Sequence, residues 1–324
     1  MAEGNSYLDF EKPIIEVEQD LLRVRRLVEA GELEHVGEVE RLEKKLVKMR
    51  SDIFGNLTAY QRVRLSRHIE RPFTLDYVGY LVKDFVELHG DRLFADDGAI
   101  VGGVGRFDGK EVVVVGHQRG RSTQERMTRN FGMAQPEGNR KAQRLFRLAE
   151  KFSLPLILFI DTQGAYPGLE AEARGQAEAI ARSLYILSEL KTPVISTIIG
   201  EGGSGGALAL GICDRLLMME NAIYSVITPE GCASILWGKN ETGNAAEYAA
   251  VAAEGLKLTA QSLSEAGVVD EVIKEPVGGA HRDKLHAAEL LGQSLARHLS
   301  EIMSLAPKDR REHRYKKFRN LGTL

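Results

Sequence analysis

An α/β fold built on a parallel sheet follows from three observations along this chain. Short apolar runs recur from about Arg71 onward, each closed by a loop containing glycine: EVVVVGHQRGR, LPLILFIDTQGAYPG, PVISTIIGEGGSGG and AIYSVITPEGCASIL. The runs are rich in β-branched residues and do not alternate with polar ones, which predicts strands covered on both faces. Segments with helical spacing, NRKAQRLFRLAEKF and EARGQAEAIARSLYILSEL, separate them, and strands alternating with helices build a parallel sheet. Loops at the carboxyl ends of such strands gather ligands, so the glycines of several repeats are expected to face one crevice.

Each remaining element is justified in chain order. Ile14, Val17, Leu21, Val24 and Val28 fall at alternating spacings of three and four, as do Val39, Leu42, Leu46, Met49 and Ile53, with charges between them. This predicts two amphipathic helices that turn back near Gly31, within an N-terminal helical region over 1–70. Narrow apolar seams suit two roles, a hairpin packed on its own domain and a surface for another subunit. The strand-rich region is expected over 71–285. Over 286–324, the end of HRDKLHAAELLGQSLARHLSEIMSL reads as an amphipathic helix, and PKDRREHRYKKF as a basic end for subunit contact or solvation.

The 324 residues include 43 Lys plus Arg and 46 Asp plus Glu, a net charge of -3. That balance gives no indication of nucleic acid or an acidic membrane surface as a partner. Cys213 and Cys232 lack C-x-x-C spacing, which argues against a zinc site or a disulfide framework in this chain and suits a reducing cytoplasm. MAEGNSYLDFEKP has no signal-like n-region or h-region, and no run approaches the roughly 18 apolar residues of a membrane span. A soluble cytoplasmic protein is expected.

One stretch, GEGGSGGALAL from Gly200, satisfies three motif readings. Gly200, Gly202 and Gly205 spell G-x-G-x-x-G, the dinucleotide fingerprint, with Glu220 as the acid for the ribose. Only GGALALGICD separates this loop from the next apolar run, RLLMME, too little for a crossover connection. Gly202, Ser204 and Gly206 spell the G-x-S-x-G elbow of hydrolases, with Asp270 and His281 in the required order. Against that stand the extra glycines around Ser204, which make a small turn residue capping the following helix the simpler role. The third reading uses the backbone N–H groups of Gly205 and Gly206, aimed from a helix start at a developing oxyanion. It also accounts for DTQGAYPG as the opposite wall of the crevice, although glycine loops with no ligand remain an alternative for both.

His117 invites a general-base role, set against a histidine simply buried and satisfied by backbone. Arg119, Arg121, Arg126 and Arg129 form a charge cluster that reads as a solvated or partner-facing surface, with docking of another protein as the sharper alternative.

RPFTLDY, GDRLFADD, AIVGGVGRFDG, GHQRGR, RNFGMAQPEGNRKAQRL, FIDTQGAYPG, ARGQAEAIA, IIGEGGSGGALALG and YSVITPEGCASILW together resemble the alpha subunit of the bacterial carboxyltransferase of acetyl-CoA carboxylase. The resemblance runs from YLDFEKPI to EPVGGAHRD. It implies a crotonase-like (ClpP/crotonase) spiral of ββα units preceded by a helical hairpin. It also implies transfer of a carboxyl group from carboxybiotin, on the biotin carboxyl carrier protein, to acetyl-CoA, giving malonyl-CoA for fatty-acid synthesis. The implied partners are a beta subunit bearing a four-cysteine zinc ribbon, in an α2β2 assembly, with the carrier protein and biotin carboxylase. No metal is implied in this chain. Gly205 and Gly206 match the glycine pair for the biotin-side oxyanion, and Gln163, Gly164, Gly202 and Gly203 are expected around carboxybiotin. Where the family reads DTPGAYPG, this chain has Gln163, which either is neutral or reaches the carboxybiotin carboxylate. AQPEGN and Thr228 are smaller departures. The competing functions are a self-sufficient acyl-CoA hydratase or hydrolase and a noncatalytic scaffold of the same fold.

Overall fold

A computed structural model describes residues 7–238 and 245–322. Helices α1 (Lys12–Glu29) and α2 (Val36–Gly55) form the expected hairpin. They reverse at Gly31, whose φ of +100° suits glycine. Ile14, Val17, Leu21 and Val24 of α1 pack on Leu42 and Leu46 of α2 as a cluster of their own, so the apolar seam closes within the hairpin.

A buried carboxylate fastens the hairpin to the body. Glu11 Oε1 accepts from His281 Nε2 at 3.0 Å and from Arg282 Nε at 2.9 Å, and Oε2 accepts from the Leu8 N–H at 3.0 Å. Burial alone would raise the Glu11 pKa, but the hydrogen bonds from His281, Leu8 and Arg282 outweigh it and bring it down to about 2. The His68 ring lies against His281, centroids 4.4 Å apart, and its Nδ1 accepts from the Glu70 N–H.

Helices α3 (Ala59–Ser66) and α4 (Thr74–Leu81) lead into an antiparallel meander of β1 (Lys83–Glu87), β2 (Ile100–Phe107) and β3 (Lys110–His117). Next come α5 (Thr123–Thr128), α6 (Pro136–Lys151), β4 (Leu156–Thr162), α7 (Leu169–Ala173), α8 (Gln176–Glu189), β5 (Val194–Gly203) and α9 (Ser204–Leu208). The chain continues through β6 (Arg215–Met219), β7 (Ile223–Ser225), α10 (Pro229–Trp237), α11 (Ala245–Gly255), α12 (Ala260–Glu265) and β8 (Glu271–Ile273). Two last helices are α13 (Lys284–Met303) and α14 (Pro307–Asn320).

All eight strands form one sheet in the order β1-β2-β3-β4-β5-β6-β8, with β7 paired beside the end of β5. From β3 to β8 the pairs are parallel, as the buried apolar runs require. The antiparallel edge formed by β1 and β2 extends the parallel sheet read from the apolar runs, as ββα units imply. Its sequence, IVGGVGRF in β2, carries glycines where a β-branched run would announce a strand. They are needed there because a Cβ on Gly103 would lie 2.0 Å from the Val86 carbonyl oxygen of β1.

The C-terminal segment forms the expected amphipathic helix and then a basic helix that is mostly exposed, with Arg310 and Arg314 as its buried residues. Leu291, Leu295 and Leu299 of α13 belong to the main core. In α14, Arg314 is buried, donating to both oxygens of Asp214 at 2.9 and 2.8 Å and to the carbonyls of Leu187, Leu190 and Thr192. Guanidinium groups explain the composition: they cap carbonyls that the ends of α8 and the following turn leave unpaired.

A second buried pair joins the chain across 204 residues. Arg71 donates to Glu275 Oε2 and Oε1 at 2.9 and 2.7 Å, and Glu275 also accepts from the Asn221 and Ala280 N–H groups. Burial would raise the Glu275 pKa, but Arg71 and these donors bring it to about 2 from 4.5. A depressed carboxylate contributes stability that is fully present above its unfolded pKa and is lost as pH falls through the folded one. Chemical denaturation measured from pH 5 down to pH 2 should therefore show a progressive loss, and Glu275→Gln should flatten part of that slope. The same variant should cost about 3–5 kcal/mol at neutral pH, because Arg71 is left buried and unpaired.

Candidate active site

β4 and β5 lie side by side and parallel, so their carboxyl-end loops meet. Ile160 pairs with Ile198, but the next pair is Thr162 with Gly202, so β5 carries two extra residues and its end bulges over β4. The loops then touch backbone to backbone. A Cβ on Gly203 would lie 2.1 Å from the Gln163 carbonyl oxygen, and one on Gly206 would lie 2.5 Å from the Gly164 carbonyl. Gly202 is confined by the Tyr224 ring, 2.9 Å from its Cβ position.

Buried charges hold the roots of both loops. Asp161, 2% exposed, accepts the Glu201 N–H at 3.0 Å and faces Arg119 Nη1 at 3.3 Å. Burial pushes the Asp161 carboxyl up, with Arg119 opposing that rise. Glu201, also 2% exposed, is taken by Arg67 at 2.7 Å and by Arg119 at 3.4 Å. Sequence reasoning missed Arg67, Asp161 and Glu201. The available signal was a lone acid at the end of each of two strands that are otherwise apolar.

The three readings of GEGGSGGALAL now separate. The helix after the loop, α9, has five residues, too short to cross a sheet and bind a pyrophosphate in dinucleotide fashion. For the elbow, Asp270 accepts the Leu216 N–H and pairs with Lys317, and His281 is bonded to Glu11, so the acid and the base are committed to other partners. Ser204 also differs from the capping role expected of it. Gly203 is the N-cap residue, and Ser204 is the first helical residue, in the left-handed region at φ +47°.

Gly205 and Gly206 occupy the first turn of α9, whose N–H groups have no partner within the helix, and no side chain caps this end. The surroundings divide the six expected residues. Gly205 is half-buried beside an apolar cavity of about 410 Å³ whose walls include Leu208, Tyr224, Val226 and Leu263. Gln163 is exposed beside a cavity of about 170 Å³ bordered by Arg67, Phe73, Arg119 and Arg126. Gly164, Gly203 and Gly206 are buried in the contact between the loops, and Gly202 is buried against Tyr224 of β7.

The arginines of the cluster are half-buried, and each has a partner within the chain. Arg119 bridges Asp161 and Glu201, Arg121 pairs with Asp76 at 2.7 Å, Arg126 donates to the Gly120 carbonyl and Arg129 to that of Gly98. His117 is fully buried under the loops, with its ring against the backbone of Phe159 and Gly206. Burial lowers its pKa to about 3, so it is neutral at ordinary pH. Thr228 caps α10, its Oγ1 accepting the Gly231 N–H at 3.1 Å.

The packing makes a graded prediction. Gly203→Ala and Gly206→Ala should each destabilise the fold by about 1–3 kcal/mol through overpacking. At Gly205 a Cβ meets only Ile180 Cδ1, at 3.5 Å. Gly205→Ala should therefore change stability by less than about 1 kcal/mol. Denaturant titrations of the three variants check this ordering.

Known proteins agree with the geometry. The family model described as acetyl co-enzyme A carboxylase carboxyltransferase-like matches residues 7–322. The acetyl-coenzyme A carboxylase carboxyl transferase subunit alpha of Geobacter metallireducens is 55% identical over 316 residues, 97% of each chain. That of Azoarcus sp. is 50% identical, over 98% of this chain and 97% of its own. Among solved structures, transcarboxylase 12S superposes with a TM-score of 0.54 at 22% identity, over 68% of this chain and 41% of its own. The beta subunit of P. aeruginosa geranyl-CoA carboxylase gives 0.53 at 18%, over 74% and 44%. These two distant likenesses carry the crotonase-like carboxyltransferase fold, whereas the full-length identities of 50% and above carry descent. Together with the full-length family match, they make this chain a member of the acetyl-CoA carboxylase carboxyltransferase alpha-subunit family.

Proposed function

We propose that this chain forms the biotin-side half of a carboxyltransferase. With a beta subunit it transfers a carboxyl group from carboxybiotin, held on the carrier protein, to acetyl-CoA, giving malonyl-CoA. The observation that carries this reading is the first turn of α9. Gly205 borders a cavity with apolar walls and Gly206 follows it in the same uncapped first turn, which suits a flat, largely apolar ring bearing one polar oxygen. Carboxybiotin would supply the carboxyl group: the bond from its ring nitrogen to the carboxyl carbon breaks, the electron pair stays on the biotin ring, and that nitrogen takes the proton that the acetyl-CoA methyl loses. The chain's part is to stabilise the negative charge that then gathers on an oxygen, and preorganised backbone donors do this without a nucleophile.

The residues divide by role. Gly205 and Gly206 donate to the developing oxyanion. Gly202, Gly203 and Gly164 let the loops close on each other so that these donors are held. Gln163, exposed at the apex of its loop, borders the carboxyl end of the site as a neutral turn residue. Acetyl-CoA binding and the zinc ribbon are assigned to the beta subunit. The working assembly is α2β2, served by the carrier protein and biotin carboxylase in the cytoplasm. Among the described residues, no helix is long and apolar enough to cross a membrane. A hydratase would need a pair of available carboxylates, and the two nearest the loops, Asp161 and Glu201, are engaged by Arg119 and Arg67.

The decisive experiment is purification with a candidate beta subunit, followed by assay of malonyl-CoA decarboxylation that depends on added biotin. The complex should be active and the lone chain inactive, and robust turnover by the verified lone chain would sink this reading. In the complex, Ser204→Ala should retain activity within about tenfold, against the roughly millionfold loss that removal of a catalytic serine causes in subtilisin. Gln163→Pro should also change the rate less than about tenfold, or about 1.4 kcal/mol of barrier. A larger loss with the assembly intact would mean that the amide contacts the transferred carboxyl group.

A further inference from the structure

Arg67 follows α3 and reaches two acids that the chain supplies from well over a hundred residues away. Its Nε and Nη2 donate to Glu201 Oε2 and Oε1 at 3.0 and 2.7 Å, and its Nη1 and Nη2 donate to Glu230 Oε1 and Oε2 at 2.8 and 3.3 Å. One planar fork therefore serves two carboxylates, which the point charge of lysine does not reproduce. The Glu201 carboxylate is withdrawn from water, whereas Glu230 is 42% exposed, so the pairing is obligatory on one side and adjustable on the other.

Both acids sit next to the glycine loop. Glu201 immediately precedes Gly202, and its N–H is held by Asp161 at the root of the opposite loop. Glu201–Gly203 pairs with Ile223–Ser225 of β7. β7 leads through Thr228 into α10, where Glu230 lies in the first turn. Arg67 thus ties the strand that bears the glycine loop to the helix that follows its neighbouring strand. The loop is fixed from three directions: by Asp161 below, by β7 beside it, and by Arg67 through both acids.

We propose that Arg67 is a positioning residue for carboxyl transfer, which sets the aim of the Gly205 and Gly206 N–H groups through Glu201 and Glu230. The inference rests on the carboxyltransferase reading of the same loops. A clamp of this kind acts on the transition state, because a small shift of fixed donors weakens charge stabilisation far more than it weakens binding of the intact substrate.

The test uses the complex with the beta subunit and the biotin-dependent decarboxylation of malonyl-CoA. Arg67→Lys keeps the charge and loses the double fork. It should lower kcat by about a hundredfold, comparable to losing one oxyanion donor, with KM for malonyl-CoA changed less than about threefold. Glu230→Gln, at a part-exposed position, keeps Glu201 paired and should lower kcat by about tenfold with the same unchanged KM. Combined, the two changes should cost less than the product of the single effects, since they cut one path. If Arg67→Lys fails to assemble, Glu230→Gln alone decides. Assembled variants that keep kcat within about threefold of the wild type, or that lose activity through KM alone, would reduce Arg67 to a structural ion pair and overturn the proposal. An inactive wild-type complex instead overturns the carboxyltransferase reading, and that outcome is seen before any variant is made.

Discussion

The contact between two backbone loops, with no side chain between them, is the constraint on which the site depends. Gly203 lies against the Gln163 carbonyl and Gly206 against that of Gly164, so the ends of β4 and β5 are closer than any residue with a Cβ would permit. That closeness requires the two extra residues in β5 before the register resumes at Gly202. It also buries Asp161 and Glu201 beneath the loops, and buried carboxylates are tolerated only when paired and hydrogen-bonded. Arg67 and Arg119 follow from that requirement. A glycine-rich sequence thus entails an electrostatic framework beneath it.

Much of this was legible in the residues, and what was not has a physical cause. The hairpin seam and the parallel strands were readable because their apolar positions follow the periods of their elements. The edge strands β1 and β2 were not, because close approach at Gly103 removes the β-branched residues that announce a strand. The burial of Arg314 within the basic tail was not readable either, since the sequence does not say that the tail returns to unpaired carbonyls of α8. In the site, Gly205 and Gln163 line cavities, whereas Gly164, Gly203 and Gly206 serve the loop contact and Gly202 packs against Tyr224 of β7. A motif marks where backbone must come close, but not which of its glycines meets a ligand and which meets only another loop.

Buried ion pairs recur at points where distant segments must register. Arg71 with Glu275 joins the entrance of the sheet to the loop after β8, Arg314 with Asp214 joins the last helix to the start of β6, and Glu11 with His281 and Arg282 joins the hairpin to the body. Such pairs add little net stability compared with apolar residues of similar volume, yet leaving one partner alone is costly. Their effect is to penalise wrong pairings among segments that the apolar core alone would accept in several arrangements. One of them reaches the strand that carries the glycine loop, since Arg71 also donates to the Ile199 carbonyl of β5 at 2.9 Å.

The chemistry asked of such a site explains why its donors belong to the backbone. A hydroxyl or an amide side chain can rotate away as charge develops, whereas an N–H in the first turn of a helix is fixed by the fold and needs no reorganisation at the moment of reaction. Fixed donors are most effective where water is excluded and the effective dielectric is low. In this chain alone Gly205 is half-buried, and the cavity beside it is rimmed by Leu208 and Val226, which are 43% and 75% exposed. Donors that are rigid but still wetted are only half of a catalytic arrangement. A family whose members are named as subunits is consistent with that division, in which one chain supplies aligned donors and another supplies the cover that gives them their strength.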